Sequence, residues 1–107
     1  MNDPYVTYPD LGKIFADIPA ESVISRSLFK DVKTDVTLFG FAKGQALTEH
    51  KSPYYAIVQV LKGELWLKLG DDELIVKEGS WTLMSPDLPH ALKANTDVLM
   101  LLTMLRN

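Results

Sequence analysis

The sequence predicts an all-β fold, a sandwich or barrel built from several short strands. After residue 22, stretches rich in valine, leucine, isoleucine and aromatic residues follow one another with only short gaps. Turn-forming residues, chiefly glycine, proline, aspartate and asparagine, fall in those gaps. No stretch beyond residue 22 carries apolar residues at helical spacing over the length of an ordinary helix.

Residues 1–20 precede the predicted strands and differ from them in composition. They hold three of the six prolines, with short apolar patches between them. The segment LGKIFADI at 11–18 is compatible with a helical turn or with irregular chain. We therefore predict an irregular or short-helical arm over 1–20, lying across a sheet edge or a partner subunit. Residues 21–107 are predicted to form a single domain.

The predicted strands begin at residue 22 and continue to the end of the chain. Polarity alternates most clearly in ELWLKL, where every second residue is leucine, so one face of this strand should be buried. The segment GELWLKLGDDELIVKEG predicts a hairpin with its turn at 70–72. The full set of predicted strands is 22–30, 35–42, 45–50, 55–61, 64–70, 73–79, 80–85, 89–95 and 97–106.

The totals exclude several classes of function. A chain of 107 residues with 47% apolar residues is long enough for one domain with one core. The net charge of −3 and the absence of a basic run disfavour nucleic-acid binding. With no cysteine, disulfides, thiolate metal sites and a cysteine nucleophile are excluded. We expect no signal peptide and no membrane contact, since the longest apolar run falls far short of the ~20 residues of a span, and we expect a cytoplasmic protein.

Glycine and histidine recur at fixed spacing in two stretches of the chain. Gly44 is followed by five residues and then His50, and Gly63 closes the same stretch. Gly79 opens a second stretch that ends at His90. This spacing resembles the two motifs of the cupins, in their small single-domain, RmlC-like form, and the resemblance covers residues 40–105.

The resemblance implies a double-stranded β-helix, the jelly-roll barrel of antiparallel strands, with a pocket that opens at one end. It also implies a homodimer, since family members commonly dimerise. The fold class is therefore an all-β jelly roll with an N-terminal arm. The three motif glycines are expected to supply backbone angles that tight turns require.

The chain departs from the family pattern at the metal ligands. Metal-dependent cupins usually hold iron, manganese, nickel or zinc through two histidines and a glutamate of the first motif and one histidine of the second. Here Ser52 stands at the second histidine and Ala56 at the glutamate, so two of four ligands remain. In the second motif Asp87 stands at the glycine position.

Side-chain alternation predicts the surroundings of the two histidines. If the strand runs straight through, His50, Ser52 and Tyr54 share a face, although Pro53 is able to bend it. We then predict an apolar pocket with His50 and His90 facing each other across it. Ser52 and Tyr54 would be further ligand-binding residues. This composition favours a small organic ligand, which makes a small-molecule binding module the leading hypothesis.

Other functions stay open. His50 and His90 are also candidate metal ligands for Zn, Fe, Mn or Ni, with water or substrate completing the coordination, as in an oxygenase or isomerase. Metal-free acid–base chemistry would rely on the histidines with Tyr54 or Tyr55. A third hypothesis is a dimer scaffold with a vestigial pocket. Outside the motifs, Trp66 and Trp81 are interpreted as packing or subunit-interface residues, and 31–35 as a surface turn.

Overall fold

A computed structural model describes residues 4–106, and almost all of its regular structure is strand. The predicted all-β fold is confirmed, with each predicted strand overlapping one observed strand. The described residues hold no helix long and apolar enough to cross a membrane. A 3-10 helix, Leu11–Lys13, precedes strands β1 (Val23–Lys30), β2 (Thr34–Phe41), β3 (Ala46–His50), β4 (Tyr55–Lys62), β5 (Glu64–Leu69), β6 (Asp72–Lys77), β7 (Trp81–Met84), β8 (His90–Ala94) and β9 (Val98–Leu105).

The strands form two antiparallel sheets. Sheet A has the order β1-β2-β9-β4-β7, and sheet B has the order β3-β8-β5-β6. Strands β5 and β6 form the predicted hairpin, in which Leu69 pairs with Asp72 across the turn. Most other neighbours are distant in sequence, because successive strands switch from one sheet to the other. This arrangement agrees with the predicted jelly roll.

The core lies between the inner faces of the two sheets. Alternation places every second side chain of a strand in it, as at Leu65 and Leu67, which are both fully buried. Burial of one such side chain stabilises the fold by about 1.5–3 kcal/mol. The buried members of this cluster are Phe41, Ala56, Val58, Val60, Leu65, Leu67, Met84, Leu92, Ala94, Val98 and Met100.

The N-terminal arm packs on the outer face of sheet A. Leu28, Leu38 and Leu99 are buried there, although they point away from the core between the sheets. The Tyr8 hydroxyl donates a hydrogen bond of 2.7 Å to the carbonyl of Leu28. The arm therefore covers an apolar sheet face of its own chain instead of the predicted sheet edge, and its contact with a partner subunit stays a prediction. Its packing residues are Tyr8, Leu11, Ile14 and Phe15.

Gly63 is the single residue between β4 of sheet A and β5 of sheet B. Its φ is +91°, in the left-handed region that favours glycine. A Cβ at this position would lie 2.1 Å from the carbonyl oxygen of Asp97, far inside contact distance. Gly79 has the same φ of +91°, but a Cβ there would meet no atom within 4 Å. A side chain at Gly79 would therefore meet only an unfavourable backbone angle. At Gly63 it would meet the same unfavourable angle and also collide with the Asp97 carbonyl.

We predict that Gly63→Ala destabilises the fold much more than Gly79→Ala. Both substitutions place a side chain at positive φ, at a cost of roughly 1–2 kcal/mol. Only Gly63→Ala also forces the β4–β5 connection away from Asp97, so its total loss should be at least about 3 kcal/mol. Urea unfolding at equilibrium measures both values. Equal losses for the two variants would contradict the close approach at Gly63.

Candidate functional site

The two histidines are cross-strand neighbours on sheet B. His50 is the last residue of β3, His90 is the first residue of β8, and the two stand opposite each other in the register. Their ring centroids lie 4.2 Å apart with 61° between the ring planes. We predict that the two histidines face each other across the pocket, but they lie side by side on one wall with their rings in contact. The reason is that β3 and β8 are paired directly.

Both imidazoles are oriented by the main chain. Nδ1 of His50 lies 2.8 Å from the carbonyl oxygen of Thr48, and Nδ1 of His90 lies 2.9 Å from that of Leu88. A carbonyl only accepts hydrogen bonds, so each Nδ1 must carry the proton. In the neutral ring, Nε2 is then an acceptor with a free lone pair. Within the described residues, neither Nε2 takes part in a hydrogen bond.

The histidine pair forms the boundary between solvent and the barrel interior. His50 is exposed, whereas His90 is only 8% exposed. Beside them lies a cavity of about 30 Å³. A volume of this size holds one water-sized or methyl-sized group. Ligand pockets usually measure about 300–1,000 Å³, so this cavity alone is too small for a whole ligand. The predicted apolar pocket is present but small, and its other lining residues are Phe39, Leu47, Val58, Leu67, Met84, Leu92, Met100 and Leu102.

Ser52 and Tyr54 do not line this cavity. They lie in the connection that leaves sheet B at His50 and enters sheet A at Tyr55, so the straight strand assumed for their shared face is interrupted. The Ser52 hydroxyl accepts a hydrogen bond of 3.2 Å from the Tyr54 amide. The Tyr54 ring lies beneath the guanidinium of Arg106, at 5.5 Å. Their part in ligand binding stays a prediction.

The loop that precedes His90 contains a residue in the left-handed backbone region. Asp87, at the motif's glycine position, has a φ of +65°. Aspartate adopts the left-handed region more readily than most residues, which explains how the replacement is accommodated. The Asp87 amide donates a 2.7 Å hydrogen bond to the carbonyl of Ser52. This bond ties the second-motif loop to the connection that follows His50.

An ion pair at the end of sheet A was missed in the sequence. The sequence predicts Asp35 both at the end of a surface turn and at the start of strand 35–42; it lies in β2, and its side chain is only 12% exposed. Its carboxylate accepts a hydrogen bond of 3.0 Å from Arg106, whose side chain is 24% exposed. The alternation of Asp35, Thr37 and Phe39 in β2 could have placed the aspartate on the inner face.

The two histidines are oriented as metal ligands usually are, but two side chains are too few for a stable metal site. A histidine that binds a metal through one ring nitrogen usually donates a hydrogen bond from the N–H of the other to a carbonyl or carboxylate. Both rings have their Nδ1 placed for such a bond here. A stable site, however, needs three or four protein ligands. No group of three histidine, aspartate or glutamate side chains converges within residues 4–106. Ala56, at the position of the motif glutamate, is 3% exposed in the core and supplies no ligand atom.

Comparison with known families gives the same assignment as the glycine and histidine spacing. The model described as "Cupin domain" matches residues 37–105, which is more than half of the chain. The chain belongs to the cupin family. None of the curated proteins compared with this cupin matches it.

Several solved structures share the fold. A conserved protein of unknown function from Streptococcus pyogenes is 27% identical, with a TM-score of 0.83 and coverage of 100% of this chain and 98% of its own. A cupin superfamily protein from Desulfitobacterium hafniense is 20% identical, with a TM-score of 0.82 and coverage of 85% and 84%. A cupin 2 conserved barrel domain protein from Leptotrichia buccalis is 30% identical, with a TM-score of 0.77. That alignment covers 85% of this chain and 44% of the Leptotrichia protein.

We predict that His50 and His90 both carry their proton on Nδ1 when neutral. The carbonyls of Thr48 and Leu88 select this tautomer because they accept only from a protonated nitrogen. Long-range proton–nitrogen correlation spectra of the folded protein at pH 8 report the protonation of each ring nitrogen. The urea-unfolded chain is the control and should show both tautomers in exchange. A proton on Nε2 of both rings in the folded protein would contradict the geometry.

Proposed function

We propose that this cupin binds a small organic molecule at the barrel mouth, through His50 and His90. The observation that supports this most directly is the pair of unbonded Nε2 atoms beside an opening to an apolar cavity. A few oriented polar groups in an apolar recess are the usual composition of a small-molecule site. His50 is exposed, so a solute can reach the pair without displacement of the chain.

The chemistry of the two rings restricts the ligand. Neutral imidazoles present acceptors at Nε2, so the ligand must offer a hydrogen-bond donor, such as a hydroxyl or an amide N–H. A carboxylate has no donor, and two neutral imidazoles would not hold it. The adjoining cavity of about 30 Å³ admits one methyl-sized group, and the rest of the ligand must lie at the mouth.

The affinity of such a contact is expected to be modest. Two hydrogen bonds contribute about 0.5–1.5 kcal/mol each, and one buried methylene-sized group about 0.8 kcal/mol. These contributions sum to about 1.8–3.8 kcal/mol, so dissociation constants of roughly 2–50 mM are expected for minimal ligands, and larger molecules gain affinity from contacts at the mouth. The metal-free isomerase hypothesis gains no support beyond binding, because neither Tyr54 nor Tyr55, its candidate partners for the histidines, lines the cavity.

We predict that short neutral alcohols and amides with one methyl or ethyl end raise the melting temperature. At ten times the dissociation constant, the native state gains about 1.4 kcal/mol, which corresponds to roughly 4–8 °C for a domain of this size. His50→Phe keeps a ring but removes the acceptor, and it should abolish most of the shift. Glu49→Gln, on the neighbouring residue, is the matched control and should keep it.

Thermal-shift measurements on the three proteins check this prediction. Carboxylates of the same carbon number serve as the negative ligand series. The proposal fails if no alcohol or amide shifts the wild-type protein, or if His50→Phe responds as the wild type does.

The second candidate is a metal centre, and the orientation of both Nδ1 atoms toward carbonyls favours it. His50 and His90 would hold the ion through Nε2. A bound divalent ion would act as a Lewis acid toward a substrate oxygen in an isomerase, whereas an oxygenase would need a redox-active ion such as iron. The chain's own contribution is the fixed ring orientation and the apolar wall that excludes water behind the pair.

We predict weak binding of one divalent ion per chain if this candidate is correct. Affinity should rise from Mn²⁺ through Fe²⁺ to Ni²⁺, with Zn²⁺ bound in the upper part of this range, because imidazole sites follow this order. Calorimetric titration of untagged protein with each ion measures the constants and the stoichiometry. His50→Ala and His90→Ala should each lower the affinity at least tenfold.

The glutamate next to His50 again supplies the control for the metal titration, and Glu49→Gln should bind as the wild type does. Absence of binding heat for Ni²⁺ and Zn²⁺, together with unchanged behaviour of both alanine variants, would remove this candidate. The small-molecule proposal does not depend on that outcome.

A further inference from the structure

Two methionines line the cavity beside the histidine pair. Met84 is the last residue of β7 and Met100 lies in β9, and both side chains are almost fully buried. A methionine side chain is unbranched and has three rotatable bonds, so its sulfur adjusts easily to a neighbouring group. One cavity of about 30 Å³ therefore has two imidazoles, of His50 and His90, and two thioethers in its wall.

The strand register places one of these thioethers beside the missing glutamate. Met84 is the register partner of Ala56, the residue at the glutamate position of the first motif. Side chains of directly paired residues lie on the same face of a sheet, with their Cβ atoms about 4.5–5.5 Å apart. The alanine side chain ends at Cβ and has no donor atom. The donor nearest to that position on β7 is thus a sulfur instead of a carboxylate oxygen.

The wall of the cavity carries no charged side chain among the described residues. Apart from the histidines and methionines, its members are aliphatic or aromatic. No carboxylate joins the histidine pair as a third ligand within residues 4–106. The cost of burying an ion rises with the square of its charge, and no anionic ligand lowers the charge here. A monovalent ion therefore suits this cavity better than a divalent ion.

The donor atoms favour a soft metal ion. Thioether sulfur is a soft ligand that selects Cu(I), and imidazole binds copper as well. Hard ions such as Mg²⁺ and Mn²⁺ prefer the oxygens of carboxylates, carbonyls and water. Because each Nδ1 faces a carbonyl, each Nε2 keeps its lone pair for a metal. Two nitrogens and two sulfurs are thus the donors available at this cavity.

We propose that His50, His90, Met84 and Met100 form a binding site for Cu(I). This inference rests on the metal-centre candidate above for the use of the histidine pair, but it replaces the divalent ion and adds two thioethers that neither motif contains as ligands. The ring centroids lie 4.2 Å apart, which lets one ion contact both rings. Metal bonds to nitrogen and sulfur measure about 2.0–2.3 Å, so a cavity of this volume accommodates the ion.

The affinity for Cu(I) tests the role of the two sulfurs. Anaerobic competition with the chromophoric chelator bicinchoninate should show one Cu(I) bound per chain. Met84→Leu and Met100→Leu should each lower the affinity at least about 10-fold, because even a lost partner of a metal ligand costs this much. Leucine has nearly the volume of methionine, so these variants should fold. Circular dichroism and the melting temperature check that they do.

Met104→Leu is the matched control. Met104 pairs with Ala56 from β9, as Met84 does from β7, but it does not line the cavity. This variant should bind Cu(I) as the wild type does. The proposal is overturned if the wild-type protein takes up no Cu(I), or if the double variant Met84→Leu/Met100→Leu binds it as tightly as the wild type. A loss of affinity confined to Met104→Leu would overturn it as well.

Titration with Ni²⁺ separates this proposal from the divalent metal centre. The double methionine variant should lose affinity for Cu(I) and keep any affinity for Ni²⁺, since imidazole and water suit nickel. Methionine-dependent binding of Cu(I) without binding of Ni²⁺ supports the proposal and removes the divalent candidate. Binding of Ni²⁺ through the histidines, with a Cu(I) affinity that ignores both methionines, overturns the proposal and leaves the divalent candidate in place.

Methyl resonances report contact with the sulfurs without a substitution in the site. The protein is labelled with ¹³C at the methionine methyl groups, and Ag⁺ serves as a soft monovalent probe in place of Cu(I). One equivalent should shift the signals of Met84 and Met100 and leave that of Met104 in place, with assignments taken from the leucine variants. Unshifted signals of Met84 and Met100 after one equivalent of Ag⁺ would contradict the proposal.

Discussion

The close approach of Gly63 to Asp97 is the constraint on which the rest of the structure depends. There the chain passes from sheet A to sheet B in a single residue, with a backbone angle and a contact that exclude a side chain. This passage sets Val60 of β4 and Leu65 of β5 into the same core. With the two sheets fixed at this separation, the second passage, after His50, leaves the histidine pair at the open end of the barrel.

The site is built largely by main-chain groups. Two carbonyls set the tautomer of two neighbouring imidazoles, and a strand register sets their separation. This arrangement gives two directed acceptors, which suits recognition of an uncharged donor. Sheet A closes the apolar side of the cavity through Val58 and Met100.

Much of this could be predicted from the sequence, because alternation and turn residues act locally. The hairpin around Leu69 and the meeting of His50 with His90 follow from pattern and motif spacing. The alternation of side chains between the two faces holds only within a strand. The chain leaves sheet B after His50 and enters sheet A at Tyr55, so Ser52 and Tyr54 do not lie on the face that lines the cavity. The pair of Asp35 and Arg106 joins residues 71 positions apart, and only the β2–β9 pairing brings them together. The cavity's small volume depends on side-chain packing, which no local pattern encodes.

A crystal structure of the protein grown at neutral pH with a short alcohol or amide tests the central claim most directly. We expect both Nδ1 atoms within hydrogen-bond distance of the carbonyls of Thr48 and Leu88, with ligand density at Nε2 of the pair. Data collected across the absorption edges of zinc, nickel and iron would identify a metal in the same position. Rings turned so that Nε2 meets the carbonyls, with no density beside them, would contradict the account.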